Sequence, residues 1–137
     1  EWNKHIANEL RNTSLKIHHG MIAHAQQVLA TTEDKKKLHN KTNALAVDME
    51  SLAIAQFANK ENLPCVSIRA IVDEASQCIS EAIIKNTDTF GRPALIPLFS
   101  SLIRNPGLIT ELIKLGSGMK AATTTLNTVA RSQALFR

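Results

Sequence analysis

The stretch from Asn43 to Asp73, NALAVDMESLAIAQFANKENLPCVSIRAIVD, constrains the fold more than any other part of the chain. It opens with a short apolar run, Ala44–Val47, followed by an acidic turn of Asp48, Met49 and Glu50. Ser51–Asn62 has helical character, Pro64 breaks it, and Cys65–Val72 is apolar long enough to be an interior parallel strand. The pattern predicts a βαβ unit with a carboxylate just beyond each strand. Ligands of open parallel sheets bind outside the carboxyl ends of the strands, so both acids are expected at one crevice. The helix is apolar around most of its circumference, with only Gln56, Asn59 and Lys60 as a polar stripe, which predicts a largely buried helix. Arg69 is the one charge in the second strand and needs partners, which the nearby acids can supply.

The flanking segments support an α/β reading. Trp2, Ile6, Ala7 and Leu10 recur at helical spacing, predicting an amphipathic helix over 1–12 closed by Asn12-Thr13-Ser14. Residues 15–29 read as extended structure interrupted by Gly20, a site for a bulge or a close backbone approach, with 23–27 either part of it or a loop at its end. Thr32 with Glu33 and Asp34 marks a helix start, and Lys35–Asn40 continues it with its lysines solvated. Residues 74–91 are polar and suit a loop over the crevice, and Ala94–Ile103 reads as a further helix. Asn105 and Pro106 then form an N-cap and first-turn pair. The final helix, from Gly107 to about Val129, carries a stripe of Leu108, Leu112, Leu115, Met119, Ala122, Leu126 and Val129 suited to docking on the domain or another subunit. Gly116 and Gly118 each cost that helix about 1 kcal/mol relative to Ala.

Composition narrows the function classes. A chain of 137 residues that is 44% hydrophobic suits one globular domain with a core. Its charge of +4 is scattered, its densest basic run is Lys35-Lys36-Lys37, and it has no Tyr and one Trp, so a nucleic-acid surface has little support. Two cysteines are too few for a disulfide framework or a zinc cluster. Cys65 falls in the apolar run and is expected to be a buried thiol in a reducing cytosol. No run approaches the ~18 apolar residues of a membrane span, and no signal peptide is evident. The absence of an initiating Met and an opening on helical sequence suggest a fragment or a processed chain.

Two carboxylates carry the chemistry, each with a plain structural alternative. Glu50 at a strand-to-helix turn is either an acid complementing the helix dipole or a bidentate acceptor for neighbouring hydroxyls, such as those of a ribose. Asp73 is either a turn-capping residue or an acid at the closed end of an apolar crevice. Burial there disfavours the charged form, so the acid can give a proton to a leaving group. Asp48 reads as solvated, and Met49 as either core filler or a surface against a sugar ring. His18, His19, His24 and His39 have no acid or Cys at ligand spacing, so no metal site is expected. Dinucleotide-binding, P-loop and nucleophile-elbow motifs are absent.

Taken together, Ala46-Val47-Asp48-Met49-Glu50-Ser51 and Ile68-Arg69-Ala70-Ile71-Val72-Asp73 resemble the purine and uridine phosphorylase superfamily. Within it, the resemblance is to the nucleosidases acting on methylthioadenosine and S-adenosylhomocysteine and to the hopanoid-associated nucleoside phosphorylases. Residues 15–131 follow the family order, and the tail from Leu102 through Pro106 into a long helix looks most like the hopanoid-associated group. The resemblance implies a three-layer α/β/α domain. It also implies a cytoplasmic, homo-oligomeric enzyme without a cofactor that cleaves a purine nucleoside with phosphate, or alternatively water, as the second substrate. A truncated, non-catalytic relative is a further alternative. By resemblance Glu50 binds the ribose hydroxyls, Met49 packs at the sugar, Asp73 protonates the base, Val28 and Leu29 line it, and Arg69 lies near the site. Val72 stands where the family often has Ser, which removes one hydrogen bond near the acid. The family's N-terminal half has no counterpart in residues 1–137, so the chain is expected to carry the C-terminal part of a single α/β domain.

Overall fold

A computed structural model of the chain describes residues 2–11, 13–85, 102 and 105–132. The helix expected over Ala94–Ile103 falls almost wholly outside them. The elements in order are α1 (Trp2–Leu10), β1 (Ile22–His24), α2 (Thr32–Thr42), β2 (Ala46–Asp48), α3 (Ser51–Lys60), α4 (Glu81–Lys85) and α5 (Gly107–Arg131). β1 and β2 pair in parallel, with Ile22 opposite Ala46, Ala23 opposite Val47 and His24 opposite Asp48. Leu45 N–H donating to Met21 O and Ala25 N–H donating to Asp48 O, both at 2.9 Å, extend the hydrogen bonding beyond each end of the ladder.

The βαβ unit that carries a ladder is therefore β1–α2–β2, one element earlier than expected. No residue of its crossover, α2, is fully buried, and the helix is capped at both ends. Thr31 caps the start by accepting the Asp34 N–H at 3.1 Å while its own hydroxyl donates to the Asp34 carboxylate at 2.7 Å. Asn43 ends the helix in the left-handed region, at φ 56°, with its N–H on His39 O at 2.7 Å.

Two expectations for the central stretch are corrected. Cys65–Val72 forms no ladder among the described residues, although Val66, Ile68, Ala70 and Val72 are half-buried and alternate with exposed Ser67, Arg69 and Ile71. The alternation is that of an extended chain with one covered face, but a strand needs a neighbour for its N–H and C=O groups. Cys65 is consequently exposed, as is Cys78. α3 lies beside β1 but buries only Ala58, whereas Leu52, Ile54 and Phe57 are 43%, 56% and 62% exposed. Its apolar circumference exceeds what a two-stranded sheet can cover.

The core forms where α1 meets α5. Trp2, Ile6 and Leu10 step by four along one face of α1. Ile6 and Leu10 are buried with Val129 of α5, and Trp2, Leu15, Val66 and Ile68 pack around them. Each such apolar side chain contributes about 1.5–3 kcal/mol when fully buried. Leu108, Ala122 and Val129 of the expected α5 stripe are buried, but Met119 and Leu126 are exposed. The inward face passes instead through half-buried Gly118 and Thr125. A seam of small residues lets the helix approach Val72 so closely that a Cβ at Gly118 would run into the Val72 carbonyl. Gly20 is also a close approach, in its case to the Leu45 side chain.

The two α5 glycines should respond oppositely to alanine. Nothing surrounds a Cβ at Gly116, so Gly116→Ala should stabilise by up to about 1 kcal/mol through helix propensity. Gly118→Ala should destabilise by roughly 1–2 kcal/mol, because overpacking against backbone exceeds the propensity gain. Urea denaturation of both variants checks the pair, and equal shifts would contradict the close seam.

Candidate functional site

At the end of β2 the chain turns directly into α3, and the carboxylate that governs the turn is Asp48. Its Oδ1 accepts the Ser51 N–H at 3.0 Å, capping the first turn of α3, and its Oδ2 accepts the Ser51 hydroxyl. Arg69 reaches the same oxygen through Nε at 2.6 Å and donates through Nη2 to Ser51 Oγ at 2.6 Å. Ser67 Oγ lies 3.0 Å from Ser51 Oγ. The Asp48 side chain is 10% exposed, so this is a nearly covered carboxylate with every donor close by.

The solvated Asp48 of the sequence reading is thus corrected. The signal was present in the sequence as an Asp and a Ser three residues apart across a strand-to-helix turn, the spacing of a helix cap. The expectation that Arg69 pairs with a neighbouring acid is met by this residue, although Arg69 lies at the surface rather than inside a sheet. Burial alone pushes the Asp48 carboxyl up, but the Ser51 hydroxyl, the Ser51 N–H and the Arg69 guanidinium together outweigh it. The group is held below the usual carboxylate range.

Glu50 is left outside this network. It occupies the N-cap position of α3, yet its side chain makes no capping bond and is exposed. Among the described residues its carboxylate accepts one hydrogen bond, from the adjacent Met49 N–H at 3.3 Å. The first-turn N–H of Ser51 goes to Asp48 rather than to Glu50. Met49 beside it is 44% exposed, Val28 is exposed and Leu29 half-buried.

Asp73 is bound to α2. Lys35 Nζ sits 2.6 Å from Asp73 Oδ2 and also donates to Glu74 O at 3.0 Å and Gln77 O at 2.8 Å. The Lys35 side chain is 10% exposed and that of Asp73 30%, so the solvated lysine and the apolar enclosure of the acid are both corrected. The loop beyond Asp73 is tied further by Ile79 N–H on Ala30 O at 2.9 Å and Ser80 N–H on Glu111 Oε1 at 2.6 Å.

A cleft of about 420 Å³ opens beside the Asp48 network, with Gly20, Ile22, His24, Ser51 and Arg69 among its walls. Of the six residues given site roles by the family resemblance, Arg69 lines it, while Glu50, Met49, Val28, Leu29 and Asp73 do not. A second hollow, of about 350 Å³, lies between Ser76–Cys78 and the start of α5. Among the described residues no three His, Cys, Asp or Glu side chains converge as for a metal, and no helix is long and apolar enough to cross a membrane.

Residues 1–94 match the phosphorylase superfamily, and the chain belongs to that family. The match spans α1 through α4, including the Asp48 network, Glu50 and the Lys35–Asp73 pair. Searches of curated proteins and of solved structures return no match.

Because Asp48 titrates lower in the folded chain than its unfolded value of about 3.9, its stabilisation is fully present above that value and is lost as pH falls through the folded one. Asp48→Asn should therefore lower the urea midpoint at neutral pH, and the gap to the wild type should close in acid below about pH 4. A gap independent of pH would contradict the charge network.

Proposed function

We propose that the protein cleaves the N-glycosidic bond of a purine ribonucleoside by phosphorolysis, in the manner of the hopanoid-associated group. The observation that carries this reading is the family match across both acidic motifs, with Glu50 kept free of the helix terminus that Asp48 caps. In this reading Glu50 accepts the ribose hydroxyls, each charge-assisted bond contributing about 1.5–3 kcal/mol. Met49 lies against the sugar, Val28 and Leu29 border the base, and Arg69 holds the turn that carries Glu50. Asp73, protonated on the oxygen that Lys35 leaves free, delivers that proton to N7 as the C1′–N9 bond breaks and its electron pair passes into the purine. A phosphate oxygen bonds to C1′, and the proton released by hydrogen phosphate restores the acid, so the base gains the proton that phosphate loses. The enzyme is read as a cytoplasmic oligomer of the three-layer α/β/α type that needs no resident cofactor.

Product analysis of the full-length protein with adenosine-type ribosides tests the reaction. Ribose 1-phosphate formed only when phosphate is present supports phosphorolysis. Free ribose formed without phosphate would replace it with hydrolysis.

Asp73→Asn should lower kcat by ~10²–10⁴-fold, the usual worth of a positioned proton donor. Wild-type turnover in that variant would remove Asp73 from the role. Glu50→Gln should weaken riboside binding by roughly tenfold, the loss of about 1.4 kcal/mol, while leaving free-base binding unchanged. Equal losses for riboside and base, measured by calorimetry, would contradict a sugar contact.

A further inference from the structure

We propose that Lys35 is a positioning residue for Asp73, presenting one carboxylate oxygen to the departing base. The inference rests on the proton-donor reading of Asp73 and extends it to a side chain on a different element. Lys35 is the one member of its basic run that turns inward, while Lys36 and Lys37 are exposed. Its ammonium has three donors, and the structure gives each an acceptor: Asp73 Oδ2, Glu74 O and Gln77 O. A nearly covered ammonium with all three donors engaged is not a surface charge that happens to find a partner. The two carbonyls are those of the turn that follows the acid, in which Gln77 N–H also donates to Glu74 O at 3.0 Å. Lys35 therefore fixes the carboxylate and the backbone beside it as one unit.

The division between the two carboxylate oxygens is what gives the contact its use. Lys35 holds Oδ2, and no described residue donates to Oδ1. An acid that works on a leaving group needs one oxygen directed at the proton's destination and the other restrained, since small displacements from productive geometry are costly. The restraint comes from α2, itself capped at both ends and spanning the two paired strands. The position of Asp73 is thereby referred to the sheet rather than to its own loop.

The test compares two substrates in the full-length protein. A natural purine riboside needs a proton on its leaving group, whereas a 4-nitrophenyl riboside leaves as a stable phenolate and does not. Lys35→Met should lower kcat on the purine riboside by up to roughly 10²-fold with little change in KM. Turnover of the nitrophenyl riboside should change by less than about threefold, because proton delivery is not what limits it. In an Asp73→Asn background the same substitution should cost nothing more on the purine riboside. Lys35→Gln, which keeps a donor at reduced reach, guards against loss of folding in the Met variant, and thermal melting of both checks that the fold persists.

Equal losses on the two substrates would make Lys35 a structural residue and overturn the proposal. Full kcat in Lys35→Met alongside a damaged Asp73→Asn would also overturn it while leaving the acid's role intact. An Asp73→Asn variant as active as the wild type would instead defeat the underlying reading.

Discussion

The hydrogen-bonded pairing of Asp48 with Ser51 and Arg69 joins the end of the sheet, the start of α3 and the extended segment after Pro64 at a single carboxylate. A carboxylate with so little exposure is costly unless its oxygens are satisfied. The three donors therefore constrain one another. Ser51 must begin a helix for its N–H to reach back, and the 65–72 segment must run alongside for Arg69 to arrive. Glu50, at the N-cap position of α3, makes no side-chain capping bond and is exposed. The two acids of the turn thus differ in setting, one nearly covered and one exposed.

Most of the element order was legible because it depends on local signals. The four-residue step of Trp2, Ile6 and Leu10, the acidic start of α2 and the Asn105-Pro106 entry to α5 all act within a few residues. What the sequence did not reveal depended on what lies across from each segment. The apolar run Cys65–Val72 has the composition of an interior strand, but pairing requires neighbours that composition cannot specify. The same reason explains α3, whose apolar faces exceed the surface available to cover them. In α5 the large apolar Met119 and Leu126 lie on the helical stripe yet are exposed, whereas Gly118 and Thr125 face inward.

Among the candidate residues, Glu50 and Asp73 stand out in the sequence as acids beyond apolar runs and Arg69 as the one charge within such a run, and the family match covers all three. Their partners did not stand out. Lys35 looks like any lysine in a basic run, and only the tertiary structure separates it from Lys36 and Lys37. Asp48 was hidden by its neighbour, since two acids on either side of Met49 invite a choice between them. The structure uses both, one inward and one outward.

The Lys35–Asp73 contact joins residues 38 positions apart in the chain. A contact of that separation must overcome the entropy of closing a loop between α2 and the segment beyond Pro64. The α2 crossover and its caps can form from local interactions, but the acid acquires its setting only after the segment beyond Pro64 has docked. Partial opening of that segment would leave β1, α2 and β2 paired while separating the two charges. The ion pair and the secondary structure can then be lost in different steps, so a chain that keeps its helices and ladder need not keep the Lys35–Asp73 contact.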